Sequence, residues 1–87
     1  MRRDTEMFIL NLPADVLTVK IYAADSTLVK VLTAPADIGY RDIDGKVFRA
    51  ARWDGTGRDG RMVKMGLYFV EISSKTGTVV KKLMFTR

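Results

Sequence analysis

The stretch Trp53-Asp54-Gly55-Thr56-Gly57-Arg58-Asp59-Gly60-Arg61-Met62-Val63-Lys64-Met65-Gly66-Leu67-Tyr68-Phe69 decides the fold, because a glycine-dense turn opens directly into an aromatic β-strand. Glycines at 55, 57 and 60 permit positive φ where a side chain would be strained, and Gly66 resets the backbone before Leu67-Tyr68-Phe69-Val70-Glu71-Ile72 enters a sheet. The spacing predicts a structural hairpin, with Trp53, Asp54, Gly55, Gly60, Gly66 and Tyr68 in structural roles. Trp53 is the only tryptophan, and a large aromatic at a strand end is expected to pack between two sheets with its indole N–H on an acceptor. An exposed binding anchor is the alternative use of such a residue.

Chemistry offers three other readings of the same residues, and each meets a physical obstacle. Asp54 is expected to close an Asx turn on nearby backbone N–H groups, whereas calcium ligation in an EF-hand register would place Thr56 and Arg58 at positions three and five. A cation at the latter repels Ca²⁺. Gly55-x-Gly57-x-x-Gly60 fits G-x-G-x-x-G, but a strand follows it instead of the helix whose N-terminus would receive a pyrophosphate. Asp37, Asp42, Asp44, Asp54 and Asp59 are spread through turns, so no general acid/base couple stands out and turn chemistry is the expected use.

Outward from this stretch the period is two. Met7-Phe8-Ile9-Leu10 is a short apolar run that Leu12-Pro13 breaks, since proline cannot donate to a ladder. Leu17, Val19 and Ile21 alternate with Thr18, Lys20 and Tyr22; Asp25-Ser26-Thr27 turns the chain, and Leu28-Val29-Lys30-Val31-Leu32 returns. Residues 16 to 33 therefore read as a hairpin with a β-branched inner face, ended by Pro35. Residues 36 to 46 are the least regular and are expected to cross from one sheet to the other. Val47 to Trp53 reads as a strand with Val47, Ala51 and Trp53 on one face and Phe48, Ala50 and Arg52 on the other. Arg49 interrupts the first face and is expected near the sheet's edge. Tyr68, Val70 and Ile72 alternate with Leu67, Phe69 and Glu71, and apolar bulk on both faces predicts a central strand. Lys75-Thr76-Gly77-Thr78 turns into a last strand, Val79 to Phe85. The expected core is Val19, Ile21, Val29, Val31, Trp53, Tyr68, Val70 and Ile72. Six or seven short strands without an amphipathic helix predict an all-β sandwich or small barrel.

Composition bounds the function. A chain of 87 residues supports one domain, and at that size about 60–65% of the unfolded surface is buried. Apolar residues at 47% and charged residues at 29% are globular values. With no cysteine and no histidine, disulfides, thiolate metal sites and the commonest general base are excluded, so catalysis would rest on carboxylates and lysines. No run of about 18 apolar residues is present to span a membrane as a helix, and Met1-Arg2-Arg3-Asp4 does not lead into a signal-peptide core.

The ordered set Phe8-Ile9-Leu10-Asn11-Leu12-Pro13, Val19-Lys20-Ile21-Tyr22, Leu28-Val29-Lys30-Val31-Leu32, Trp53-Asp54-Gly55, Gly60-Arg61-Met62-Val63, Gly66-Leu67-Tyr68-Phe69 and Lys81-Lys82-Leu83-Met84-Phe85 spans nearly the whole chain. It resembles the FlgD-like immunoglobulin-type domain of flagellar hook-capping proteins, and it is similar to the C-terminal sorting domains of the type IX secretion system. The chain departs from that pattern in having Asp25-Ser26-Thr27 at the first hairpin turn, Thr56-Gly57 after Trp-Asp-Gly, and Lys64-Met65 before Gly66. The resemblance implies an immunoglobulin-like antiparallel β-sandwich over residues 1–87, the C-terminal module of a larger exported or surface bacterial protein. It implies a non-catalytic role in assembly, attachment or secretion sorting, without cofactor, at an extracellular, cell-surface or periplasmic location. The expected partners are an upstream domain or other protein subunits, with weak self-association through the first or last strand, where Lys81 and Lys82 would oppose pairing.

Charge supplies the rival function. A net charge of +5, with Arg41, Lys46, Arg49, Arg52, Arg58, Arg61 and Lys64 in mid-chain, would suit single-stranded nucleic acid if Tyr22, Tyr40, Phe48 and Phe69 formed a stacking platform. Asp42, Asp44, Asp54 and Asp59 interleave with those bases and weaken the local field, which favours a solvated face.

Overall fold

The computed structural model describes residues 7–9 and 11–86; Leu10, part of the expected first run, and the lead Met1 to Asp4 lie outside them. Seven strands form, β1 (Met7–Ile9), β2 (Val16–Ala23), β3 (Leu28–Thr33), β4 (Ile38–Ile43), β5 (Lys46–Trp53), β6 (Gly66–Ser74) and β7 (Gly77–Phe85), and no helix is present among the described residues. They make a three-stranded sheet in the order β1-β5-β4 and a four-stranded sheet in the order β3-β2-β6-β7, antiparallel at every pairing. In chain order the described strands follow the B-E-D and C′-C-F-G pairing order of an immunoglobulin-like sandwich.

The core follows from alternation. Val19 and Ile21 of β2, Leu32 of β3, Tyr68, Val70 and Ile72 of β6 and Phe85 of β7 meet Ile9, Ile38, Ala51 and Trp53 of the facing sheet, all buried, with Leu12 and Val16 closing one side. Strand β6 is central, between β2 and β7, as its two apolar faces predict.

Five sequence expectations are corrected. Trp53 to Phe69 is not a hairpin between paired strands, because β5 and β6 lie in opposite sheets; the run is the crossing between them, with a small hairpin of its own around the Thr56–Met62 bridge. The crossing expected over 36 to 46 is confined to residues 34–37, and β4 and β5 form a hairpin turned by Asp44 (φ 52) and Gly45 (φ 84), the pair of positive angles of a type I′ turn. Arg49 sits on β5, the centre of its sheet. Its guanidinium lies over the exposed Tyr40 ring, 4.7 Å from the centroid, while its Nε is buried without a hydrogen-bond partner among the described residues.

The last two corrections come from bulges. The β2–β6 register shifts between Val16 and Thr18, so Val16 points inward and Leu17 is left 51% exposed. In β3, pairing Val19 with Leu32 and Ile21 with Lys30, with a shift between Ile21 and Tyr22, turns Leu32 and Lys30 inward. Val31 is consequently exposed and Val29 only partly buried, against the expected β-branched inner face. An inward lysine is tolerable on this edge strand because its amine escapes sideways to donate to Thr56 Oγ1 at 3.0 Å and to the Gly57 carbonyl at 3.5 Å.

Candidate interaction surface

The residues singled out in the glycine run meet at one end of the sandwich. Trp53 is fully buried, with its ring 5.5 Å from Tyr68 and 5.1 Å from Phe85, and Tyr68 stands edge-on to Phe85 at 6.3 Å. The indole N–H donates to the Thr56 carbonyl at 2.9 Å, so Trp53 is a core residue with its polar edge satisfied and not an exposed anchor. Gly55 (φ +83) lies directly against this cluster, and a Cβ there would stand 2.6 Å from Phe85 Cζ. Gly60 (φ +81) and Gly66 (φ +147) also adopt angles that side chains disfavour, as their placement predicts. Tyr68, near the start of β6, donates its hydroxyl to the Lys64 carbonyl at 2.5 Å, the tyrosine-corner contact of immunoglobulin-like folds. Burial pushes the Tyr68 phenol up from its ordinary value.

Five of the carboxylates in and beside the turns accept from backbone amides. Asp54 Oδ1 accepts from Thr56 N–H at 3.1 Å and from Thr56 Oγ1 at 2.6 Å, and the Thr56 hydroxyl, more than the neighbouring Lys30 amine, lowers its pKa. Asp59 accepts from Arg61 N, Asp42 from Gly45 N and Asp37 from Thr33 N, while Asp25 accepts from Thr27 N and is lowered by that residue's hydroxyl and amide. These are Asx-type contacts within loops. Among the described residues no three Asp, Glu, His or Cys side chains gather as a metal-holding group would.

The aromatic platform does not assemble. Tyr22 and Phe69 pair across β2 and β6 on the outside of the four-stranded sheet, Phe48 faces outward from the other sheet, and Tyr40 shares the face of Ile38. The four rings are thus divided between the two sheets, and only Tyr22 and Phe69 share a face.

What the fold presents outward is apolar. The outer face of the four-stranded sheet carries the row Leu28, Tyr22, Phe69 and Lys82, the row Val31, Lys20, Glu71 and Val80, and the pair Leu67 and Met84. Its β7 margin is the most open, with Val80 and Met84 57% and 59% exposed. Strand β7 is also the longest free edge: β1 has three residues, β4 and β3 six each, and β7 nine in unbroken register with β6. No described helix is long and apolar enough to cross a membrane. Compared with known proteins, the chain matches no protein-family model, no curated protein and no solved structure.

Proposed function

We propose that this chain is a non-catalytic immunoglobulin-like accessory module that attaches, assembles or sorts a protein to which it is joined, acting through its surface. The observation that carries the reading is the exposed apolar margin of β7 beside an open nine-residue edge. A sheet edge offers a row of unpaired N–H and C=O groups, and apolar side chains on its outer face supply the area that makes strand addition or face-to-face docking favourable.

The test is delivery of a passenger. The chain is fused behind a periplasmic reporter in a bacterium that carries type IX secretion machinery, and the reporter is followed by fractionation and surface labelling. Export to the surface is expected, with loss on Val80→Glu/Met84→Glu, a pair that leaves the core untouched. A reporter retained in the periplasm, or exported equally well by the double variant, would refute docking through this margin.

A further inference from the structure

The outside of the three-stranded sheet carries a second feature, independent of the β7 margin. Gly39 of β4 and Ala50 of β5 are register partners and make a floor of minimal side-chain volume. From one side Arg41 reaches across β5 to lay its guanidinium 3.7 Å from the centre of the Phe8 ring on β1. Arg52, the register partner of Phe8, borders the other side, and the crossing residues Pro35, Ala36 and Asp37 close the end. Although Ala50 points away from the core, this cover leaves it only 5% exposed. The result is a cleft of about 160 Å³ with walls of mixed polarity, an apolar floor and two guanidinium groups at its rim.

Electrostatics and shape together choose the occupant. Stacking on Phe8 uses the flat face of the Arg41 guanidinium and leaves its in-plane N–H groups, which match a carboxylate in bidentate geometry. No described carboxylate pairs with Arg41. Asp37 is the one acid among the lining residues, and its Oδ2 accepts from Thr33 N at 3.2 Å. A Cβ built on Gly39 would meet nothing within 4 Å, so the space above the floor is open. We infer that this cleft binds a carboxylate carried on a short hydrocarbon stem, with Arg41 holding the anion and Gly39, Ala50 and Phe8 receiving the stem. Bare phosphate fits it less well, because it has no stem to fill the open space over Gly39 and Ala50 and would gain only the contacts at the rim.

Two sources could supply that chemistry, a free aliphatic dicarboxylate or a glutamate side chain on a partner segment, and one titration separates them. Amide and arginine side-chain resonances of the ¹⁵N-labelled chain are followed on addition of glutarate, of acetyl-Ala-Glu-Ala-amide, of its Gln counterpart and of phosphate. Saturable shifts at Gly39, Arg41 and Ala50 are expected with both carboxylates and not with the Gln peptide or phosphate. Tighter binding of the Glu peptide identifies a partner side chain, and equal or tighter binding of glutarate identifies a free carboxylate. Arg41→Gln should weaken binding about tenfold or more, the effect of losing one charge-assisted contact. Gly39→Val, whose Cβ enters empty space, should block the cleft while a thermal melt shows the fold intact. Shifts scattered over the lysines of the other sheet, equal binding of phosphate, or full retention in both variants would overturn the assignment.

Discussion

Replacing Gly55 and Gly60 by alanine, one at a time, separates two costs that glycine loops usually confound. Both residues have nearly the same positive angle, φ +83 and +81, so both variants carry the left-handed backbone penalty of about 1–2 kcal/mol. Their surroundings differ. A Cβ on Gly60 meets nothing within 4 Å, whereas one on Gly55 stands 2.6 and 2.9 Å from two atoms of the Phe85 ring and 3.0 Å from Met62 Cε. Phe85 cannot step aside easily, because it is fully buried against Trp53 and Tyr68. Forcing a methyl group into such a packed cluster adds about 1–3 kcal/mol, which brings Gly55→Ala to about 2–5 kcal/mol. A chain of 87 residues has about 4–13 kcal/mol of stability in all, so Gly55→Ala approaches the unfolding threshold and Gly60→Ala does not. Urea denaturation monitored by Trp53 fluorescence gives both values from their midpoints at a common slope. A difference of less than about 0.5 kcal/mol between the two variants, within the scatter of ordinary surface substitutions, would refute the contact between Gly55 and the aromatic cluster.

The same cluster predicts that Trp53→Ala costs about 3–5 kcal/mol, seen as loss of a cooperative circular-dichroism melt, because the ring is fully buried. Tyr68→Phe should cost about 1 kcal/mol for the lost bond to the Lys64 carbonyl, and it should remove from an alkaline absorbance titration a phenol that burial holds above its ordinary range. Asp54 has a pKa lowered from 3.8, so the stability it contributes is complete above the unfolded-state value and is lost as pH falls through the lowered one. In melts taken below about pH 4, Asp54→Asn should lose less stability with acid than the parent chain, and identical acid profiles would argue against the Thr56 bonds. Sedimentation at high concentration should detect weak self-association that strengthens in Lys81→Thr/Lys82→Thr, since those lysines are the charges on the open β7 edge. A monomer in both proteins would exclude homotypic pairing there.

Much of the fold was legible because turn chemistry and period-two alternation agreed over long runs. The β6 core residues and Trp53 could be read from aromatic and β-branched spacing, and the Asp25 turn from Asx chemistry. What escaped was parity and partition. Leu28-Val29-Lys30-Val31-Leu32 is apolar on both faces, so alternation alone could not say that Leu32 turns inward and Val31 outward; a bulge, which has no side-chain signature, decided it. Strand β4 was missed because its only large apolar side chains are Ile38, Tyr40 and Ile43, although Asp44-Gly45 is a strong short-range hairpin signal and could have located it. Which sheet a strand joins depends on the crossings at 34–37 and 54–65, whose lengths are ambiguous between a hairpin loop and a crossover. The Gly39 cleft could not be seen in advance, since Phe8, Arg41, Ala50 and Arg52 come together only through the β1-β5-β4 order.

This separation of parity also makes the surface testable apart from stability. Along β7 the side chains alternate, so that Phe85 and Leu83 face the cluster around Trp53 while Met84, Lys82 and Val80 face away. A substitution at Val80 or Met84 therefore removes no core contact, and its cost to folding should stay within about 0.5 kcal/mol. The aromatic corner at Trp53, Tyr68 and Phe85 fixes the end of β7 nearest the glycine loop. From Gly77 to Lys82 the strand is held by its ladder to β6 and, at Gly77, by the Ser74 hydroxyl, and these residues are all exposed. A partner strand added there would extend a ladder already fixed in register at the Phe85 end, so little ordering entropy remains to be lost on docking. Rigidity at the aromatic corner and exposure along the rest of β7 are thus two consequences of one alternating sequence, and the second can be altered without disturbing the first.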